Sequence, residues 1–451
     1  MDTAALKKLF SERGIRKVKV GGFDIDGVLR GKYISLEKFW SAAESGFGFC
    51  DVIFGWDITD VLYDNAKVTG WQTGYPDAHA RIDLDTFRVI PAEPDTAAFL
   101  VDFCLPDGSP HPACPRSLLK KVIAAASAKG LRASLGSELE FWVFRETPES
   151  IVEKGHRGLT PVSPGMFGYS WLREEQNREL CHAILDETEA FDISLEALHT
   201  ETGPGVYEAA IRYDDALRAA DKAALFKTAI KSLCGRHGLI PTFMAKWSAD
   251  LPGSSGHIHQ SLWSVDGKVS VFHDAQAPDG LSALARHYLG GQLALLPALT
   301  AVYSPTINSY KRYVPGVWAP LNATWGMENR TCAIRAIAGG PKSTRLELRQ
   351  TAADMNPYLS MAAAIGSGLW GIDHKVACPP PSTGDASADA TRPALPLSLE
   401  AATAMLAKSD DARAVLGEAF VDHYTRTREW ECRQYARAVT DWELRRYFES
   451  I

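Results

Sequence analysis

The stretch Ser134-Leu135-Gly136-Ser137-Glu138-Leu139-Glu140-Phe141-Trp142-Val143-Phe144 reads as one β-strand, yet two of its residues do not suit a core strand. Side chains alternate along a strand, so Glu138 and Glu140 share one face. Two like charges side by side are unfavourable unless a cation lies between them, although a lone Glu-x-Glu also suits a solvent-facing edge. The same oddity recurs. His257 and His259 share a face of the expected strand Gly256–Trp263, and Arg345, Glu347 and Arg349 share a face of theirs. Glu201 and Glu208 flank the turn-forming Gly203-Pro204-Gly205. Each alone has a dull explanation, but four together favour the donors that a hard divalent cation takes, carboxylates with an imidazole.

Outward from these strands, a chain of 451 residues is long enough for more than one folded unit. With 48 basic against 55 acidic residues and no basic cluster, a nucleic-acid partner is not expected. The first fourteen residues lack a secretory apolar stretch, and the apolar run near Leu293–Tyr303 is broken by Pro297, short of the ~20 residues a membrane span needs. Eight scattered cysteines without a C-x-x-C pair suggest reduced thiols and a cytoplasmic protein.

Strand-like texture runs from Ile15 to about Phe103, and Asp24-Ile25-Asp26-Gly27 suggests a strand ending in a turn. Prolines 106, 110, 112 and 115 then mark a domain boundary. Beyond it, helices are expected over Ser117–Lys129 and Asp214–Arg236, and a mobile loop over Cys378–Pro396. The last fifty residues look helical, and pattern alone indicates a mixed α+β fold.

Read together, these segments resemble the glutamine synthetase family. The most specific are Asn308-Ser309-Tyr310-Lys311-Arg312-Tyr313-Val314-Pro315-Gly316, then Glu328-Asn329-Arg330 with Ile334-Arg335, Arg345-Leu346-Glu347-Leu348-Arg349 and Asn356-Pro357-Tyr358-Leu359. The resemblance implies a small N-terminal β-grasp domain (1–105) and a large catalytic domain (110–451) with a curved antiparallel sheet. It implies homo-oligomeric stacked rings, likened to a dodecamer, in which the N-terminal domain completes a neighbour's site. The implied reaction uses ATP to phosphorylate the side-chain carboxylate of glutamate, after which an amine displaces phosphate.

By motif match, Glu140, Glu201 and Glu208 would hold one Mg²⁺ or Mn²⁺, and Glu138, His257 and Glu347 another. Arg330 would face the transferred phosphoryl group. His259, Ser261, Arg335, Lys342 and Arg345 would serve the nucleotide. Arg312, Arg349 and Gly253 would hold glutamate, and Tyr169 would sit near the ammonium site. A planar guanidinium suits both carboxylate and phosphate.

The departures from the family fall on the amine side. Ammonia-using members carry Asp-Gly-Ser-Ser in the N-terminal domain, whereas the corresponding region here is Phe47–Asp60. Their loop Pro-Gly-Tyr-Glu-Ala-Pro reads Pro315-Gly316-Val317-Trp318-Ala319-Pro320, so Trp318 replaces an acid. An indole accepts no proton from ammonium but can pack against an organic group. Phe49, Phe54, Trp56, Trp171 and Trp318 are candidate walls of an amine pocket, with Asp60, Asp57 or Asp51 as base. Val206 and Pro252 replace a usual glutamine and asparagine. No tyrosine lies between Tyr358 and Tyr424, where some bacterial members are adenylylated. The resemblance therefore implies a γ-glutamyl-amide ligase using an organic amine, with an ammonia-using synthetase or a non-catalytic relative as alternatives.

Overall fold

A computed structural model describes residues 2–451. Its first sheet contains β1 (Lys17–Phe23), β2 (Leu29–Ile34), β3 (Phe47–Cys50), β4 (Asp77–Ile90) and β5 (Glu93–Cys104), in the order β2-β1-β5-β4-β3. β1 runs parallel to β5 and the other pairs are antiparallel, which is a β-grasp arrangement. Helices Thr3–Arg13 and Leu36–Ser45, capped by Asp2 and Ser35, bury Leu6, Phe10 and Phe39 with Val18, Phe99 and Phe103 of the sheet. Gly22 is required within β1, because a Cβ there would lie 2.4 Å from the Phe103 ring.

The second sheet contains β6 (Leu131–Phe144), β7 (Leu195–Thr200), β8 (Val206–Asp215), β9 (Ile240–Thr242), β10 (Gly256–Ser264), β11 (Trp325–Met327), β12 (Ile334–Ile337) and β13 (Arg345–Leu348). Their order is β11-β12-β13-β10-β6-β8-β7, with β9 paired to β6 off that path. Apart from the parallel pair of β11 with β12, its pairings are antiparallel. Alternation gives this sheet one apolar face. Leu139, Phe141, Ile258, Leu346 and Leu348 join the core with helices Pro115–Ala128, Ala216–Arg236, Ala283–Tyr303 and Pro357–Asp373. That leaves the polar residues of the same strands on the opposite face.

The expected elements differ mainly at their ends. The proline-rich stretch lies between β5, ending at Cys104, and the helix beginning at Pro115. Asp214 and Asp215 complete β8 rather than opening the next helix. The segment Cys378–Pro396 is irregular, as expected of a loop, and hydrogen bonds tie it to the residues around β11. The Trp325 Nε1–H donates to the Pro379 carbonyl at 2.7 Å, and the Ser382 and Leu395 N–H groups bond to Trp325 and Leu321. No helix among the described residues is long and apolar enough to cross a membrane.

Charge fastens the first sheet to the helices that pack under the second. Arg116, 3% exposed, reaches Asp221 of the helix Ala216–Arg236 at 2.9 Å, Asp102 of β5 at 2.8 Å and Asp83 of β4 at 2.9 Å. Asn356, the cap of the helix Pro357–Asp373, donates to the Asp24 and Ile25 carbonyls at 3.2 Å each. Removing the Arg116 charge strands the buried Asp221 carboxylate. Arg116→Met is expected to cost about 3–5 kcal/mol of stability, read from the shift of a denaturant midpoint at unchanged slope. A shift near zero would show that this junction is not held by the arginine.

Candidate active site

Register brings the odd polar residues together. Glu138 of β6 lies opposite His257 of β10, and Glu140 lies opposite Glu208 of β8. His259 of β10 and Arg335 of β12 both lie opposite Glu347 of β13. Glu201 follows β7 and returns through the Gly203–Gly205 turn to Glu208, with its N–H bonded to the Val206 carbonyl.

Three groups of donor atoms lie within 4.8 Å of one another: Glu138–His259–Glu347, Glu138–Glu208–His257 and His199–Glu201–Glu208. The first two share Glu138 but separate Glu347 from His257, although His257 Nδ1 lies 3.4 Å from both Glu138 and Glu347; they add His259 and draw in Glu208, which the motif match assigns to the other set. The third joins Glu201 to Glu208 and adds His199. Glu140 belongs to none of these groups, although it lies beside Glu208 in the register and accepts the Ser255 N–H at 2.7 Å. His199 Nε2 is 3.2 Å from Glu208, and its ring stacks on Tyr169 at 4.4 Å. Strand alternation alone could have exposed His199, because it stands two residues before Glu201.

The electrostatics divide the cleft. Burial and the neighbouring Glu208 push Glu140 up to about 8, and the same two causes raise Glu201. Burial opposes ionisation of Glu138 too, but His257 and His259 outweigh it and hold this carboxyl well below the usual range. Glu347 is likewise buried, yet His257, Arg349 and His259 bring it to about 2. Its oxygens are held by Arg349 and by Arg335 at 3.0 Å. His257 Nε2 is buried without a hydrogen-bond partner. An oxygen-rich cluster with an unsatisfied imidazole nitrogen suits a divalent cation.

Beside this cluster, a cavity of about 660 Å³ is lined by Glu138, His259, Ser261, Lys342, Arg345 and Trp263. Four of the five residues assigned to the nucleotide thus share one hollow, while Arg335 is held between Glu328 and Glu347. Arg345 Nε donates to His259 Nδ1 at 3.1 Å. On the other side, Gly253 packs so closely on Arg312 that a Cβ would lie 2.9 Å from its Cγ. Arg312 donates to Ser255 Oγ and to the Arg349 carbonyl, both at 3.1 Å, and Arg349 donates to the Arg330 carbonyl at 3.0 Å. The Arg330 side chain is exposed, with its charge acting on Tyr169.

The amine-side candidates are dispersed. Trp318 is 66% exposed and held at φ 57°. Trp171 is exposed and donates to Glu175, while Trp56 lies 5.0 Å from the Arg30 guanidinium. The expectation that Phe49 and Phe54 wall a pocket fails, since both pack on Phe103 in the first core and Phe54 is fully buried. Asp57 accepts bonds from Trp430, the Thr59 N–H and hydroxyl, and the Val61 N–H. Burial of Asp57 favours its neutral form, but these bonds prevail and lower its pKa. Asp51 is buried beneath Thr69. Both carboxyls are buried, and burial raises the pKa of Asp51. Asp60 is the more exposed of the three, paired with Arg30 at 2.7 Å.

Burial and Glu208, which push Glu140 up to about 8, favour its protonated form at pH 7, and a cation held by this carboxylate would displace that proton. Divalent-cation binding is therefore expected to strengthen from pH 6 to 8 and to release about one proton near pH 7. Calorimetry in two buffers of different ionisation enthalpy reads that release, and Glu140→Gln should reduce it. Proton-independent binding would refute this account.

The glutamine synthetase catalytic-domain model matches residues 112–447. A protein named type-1 glutamine synthetase 2, from Dictyostelium discoideum, is 48% identical over 96% of this chain and 84% of its own. Glutamate–isopropylamine ligase from a Pseudomonas species is 38% identical over 99% of this chain and 98% of its own. The γ-glutamylethanolamide synthetase of Streptomyces coelicolor is 37% identical over 95% and 91%, respectively. A solved GmaS/ADP complex superposes with a TM-score of 0.85 at 28% identity, covering 99% of each chain. With its carboxylate-lined cleft and the family's motifs in order, the chain belongs to the glutamine synthetase family of ATP- and divalent-metal-dependent carbon–nitrogen ligases.

Proposed function

We propose that this enzyme joins the γ-carboxylate of glutamate to an organic amine larger than ammonia, through a γ-glutamyl phosphate. The observation that carries the reading is Trp318, an exposed indole where ammonia-using members place an acid. Two relatives named for isopropylamine and ethanolamide chemistry support it. An apolar amine gains from an indole that excludes water, whereas ammonium capture gains from a carboxylate.

In this reading Glu138, His257 and Glu347 hold one Mg²⁺ or Mn²⁺, and Glu140, Glu201 and Glu208 hold another. His199 and His259 stand beside the two sets. The ions neutralise phosphate charge and orient the nucleotide when bound. The chain's own residues then do the following work. His259, Ser261, Lys342 and Arg345 position ATP in the 660 Å³ cavity, and Arg335 approaches its phosphates. Arg312, Arg349 and Gly253 orient glutamate so that a γ-carboxylate oxygen attacks the terminal phosphorus and ADP leaves. Arg330 stabilises the charge spread over the phosphoryl oxygens. The amine nitrogen then attacks the acyl carbon, phosphate departs, and the surplus proton passes to a carboxylate, for which Asp60 is our choice. Tyr169, stacked on His199, borders the amine's approach.

Asp60 would act across a subunit boundary. Its segment is fastened to helix Glu418–Arg437 of its own chain through Asp57–Trp430 and the Asn65–Arg426 carbonyl bond. A head-to-tail contact that closes gives a ring, and we propose stacked rings as the assembly. We also place the domain division between residues 105 and 110. Eight unpaired cysteines support a cytoplasmic location.

The discriminating experiment is an amine screen scored by ATP-dependent phosphate release with glutamate. Alkyl or aryl amines are expected to give higher kcat/KM than ammonium. Saturation by ammonium at low concentration, without gain from any organic amine, would favour the ammonia-using alternative. Trp318→Glu is expected to move the kcat/KM ratio toward ammonium by about tenfold, equivalent to one modest charge interaction. An unchanged ratio would remove Trp318 from selectivity.

A further inference from the structure

A separate cavity of about 350 Å³ opens where the first sheet meets the helix Ala216–Arg236. Val20, Leu29 and Leu100 line it from the sheet, and Phe191, Ala229 and Leu233 line it from the other side. The volume lies at the small end of ligand sites, and its wall is mainly apolar.

The charges around it are unevenly compensated. Lys19 is matched by Glu93 at 2.7 Å, and Arg236 is matched by Glu187. Arg88 differs. It is 4% exposed, and its Nη1 donates to the Thr86 carbonyl at 3.0 Å. Its Nη2 lies 3.3 Å from Asp192, a carboxylate that Arg218 holds more closely at 2.9 Å. The Arg88 Nε–H has no partner. Asp221, itself bound to Arg116, also acts on this guanidinium, but burial outweighs both carboxylates, so Arg88, with shared counter-ions and an unused donor, is under-compensated.

We propose that this cavity binds a small monocarboxylic acid with an apolar tail, its carboxylate compensating Arg88 and its chain packing between Leu100 and Leu233. Lys32, which also lines the cavity, is exposed and lies over the Phe49 ring at 4.6 Å, so the one buried under-paired cation calls for one negative charge. A dianion would add uncompensated charge to an apolar wall, and an amine would repel the guanidinium. The helix that forms this wall also packs on β6 and β8. An occupant would therefore brace the first sheet against the scaffold of the catalytic cleft. The site is independent of which amine or acid the enzyme uses.

Octanoate serves as the probe with the full-length protein, using calorimetry and thermal melting, with octanol and octylamine as isosteric controls. Saturable octanoate binding and a raised Tm are expected, with octanol about tenfold weaker, as for the loss of one charge-assisted hydrogen bond. Octylamine should not bind. Arg88→Met should erase the difference between octanoate and octanol, and Ala229→Phe, which fills the cavity, should abolish both. Absence of saturable octanoate binding, equal binding of either control, or unchanged binding by Ala229→Phe would overturn the proposal. Should Arg88→Met fail to fold, the control ligands and Ala229→Phe decide it.

Discussion

The catalytic domain of this protein is organised by the cost of holding Glu138, Glu140, Glu201, Glu208 and Glu347 close together. Each is more stable in water, and their mutual repulsion grows as the cleft excludes solvent. Two remedies operate. Around Glu138 and Glu347, His257, His259, Arg335 and Arg349 stabilise the ionised forms. Around Glu140 and Glu201 compensation is poorer and protons are retained more readily. In the proposed reading, the second region is the one in which cation binding would be most strongly coupled to proton release.

Such a cluster needs a rigid frame, because relaxation of the strands would relieve the repulsion and disperse the donors. The opposite face of the sheet supplies that frame. Leu139, Phe141, Ile258, Leu346 and Leu348 alternate with the charged residues and are sealed under long helices. A one-residue slip of β6 against β10 would exchange the faces, burying glutamates in the core and exposing phenylalanine. The register that places His257 opposite Glu138 is therefore enforced from the apolar side.

Much of the site was legible because strand alternation is a local rule. Glu138 with Glu140, His257 with His259, and Glu347 with its flanking arginines declare a shared face from spacing alone. His199 obeys the same rule relative to Glu201 and was missed because no motif drew attention to it. The amine side was less legible. Phe49 and Phe54 are aromatic residues near the expected loop, but their contacts with Phe103 come from a strand about fifty residues further along. Asp57 and Asp60 look alike in sequence, yet Trp430 saturates one and Arg30 pairs with the other.

The sequence by itself determined which residues share a strand face, the α+β character and the family, because periodicity and motif order are properties of neighbouring positions. Only the tertiary structure decided which carboxylates face one another, which donors remain unsatisfied, and where cavities open. Those features depend on pairing between strands such as β6, β8, β10 and β13, whose separation along the chain leaves no trace in local pattern. The under-compensated Arg88 is of the same kind, since its burden arises where a helix more than a hundred residues away closes over its sheet.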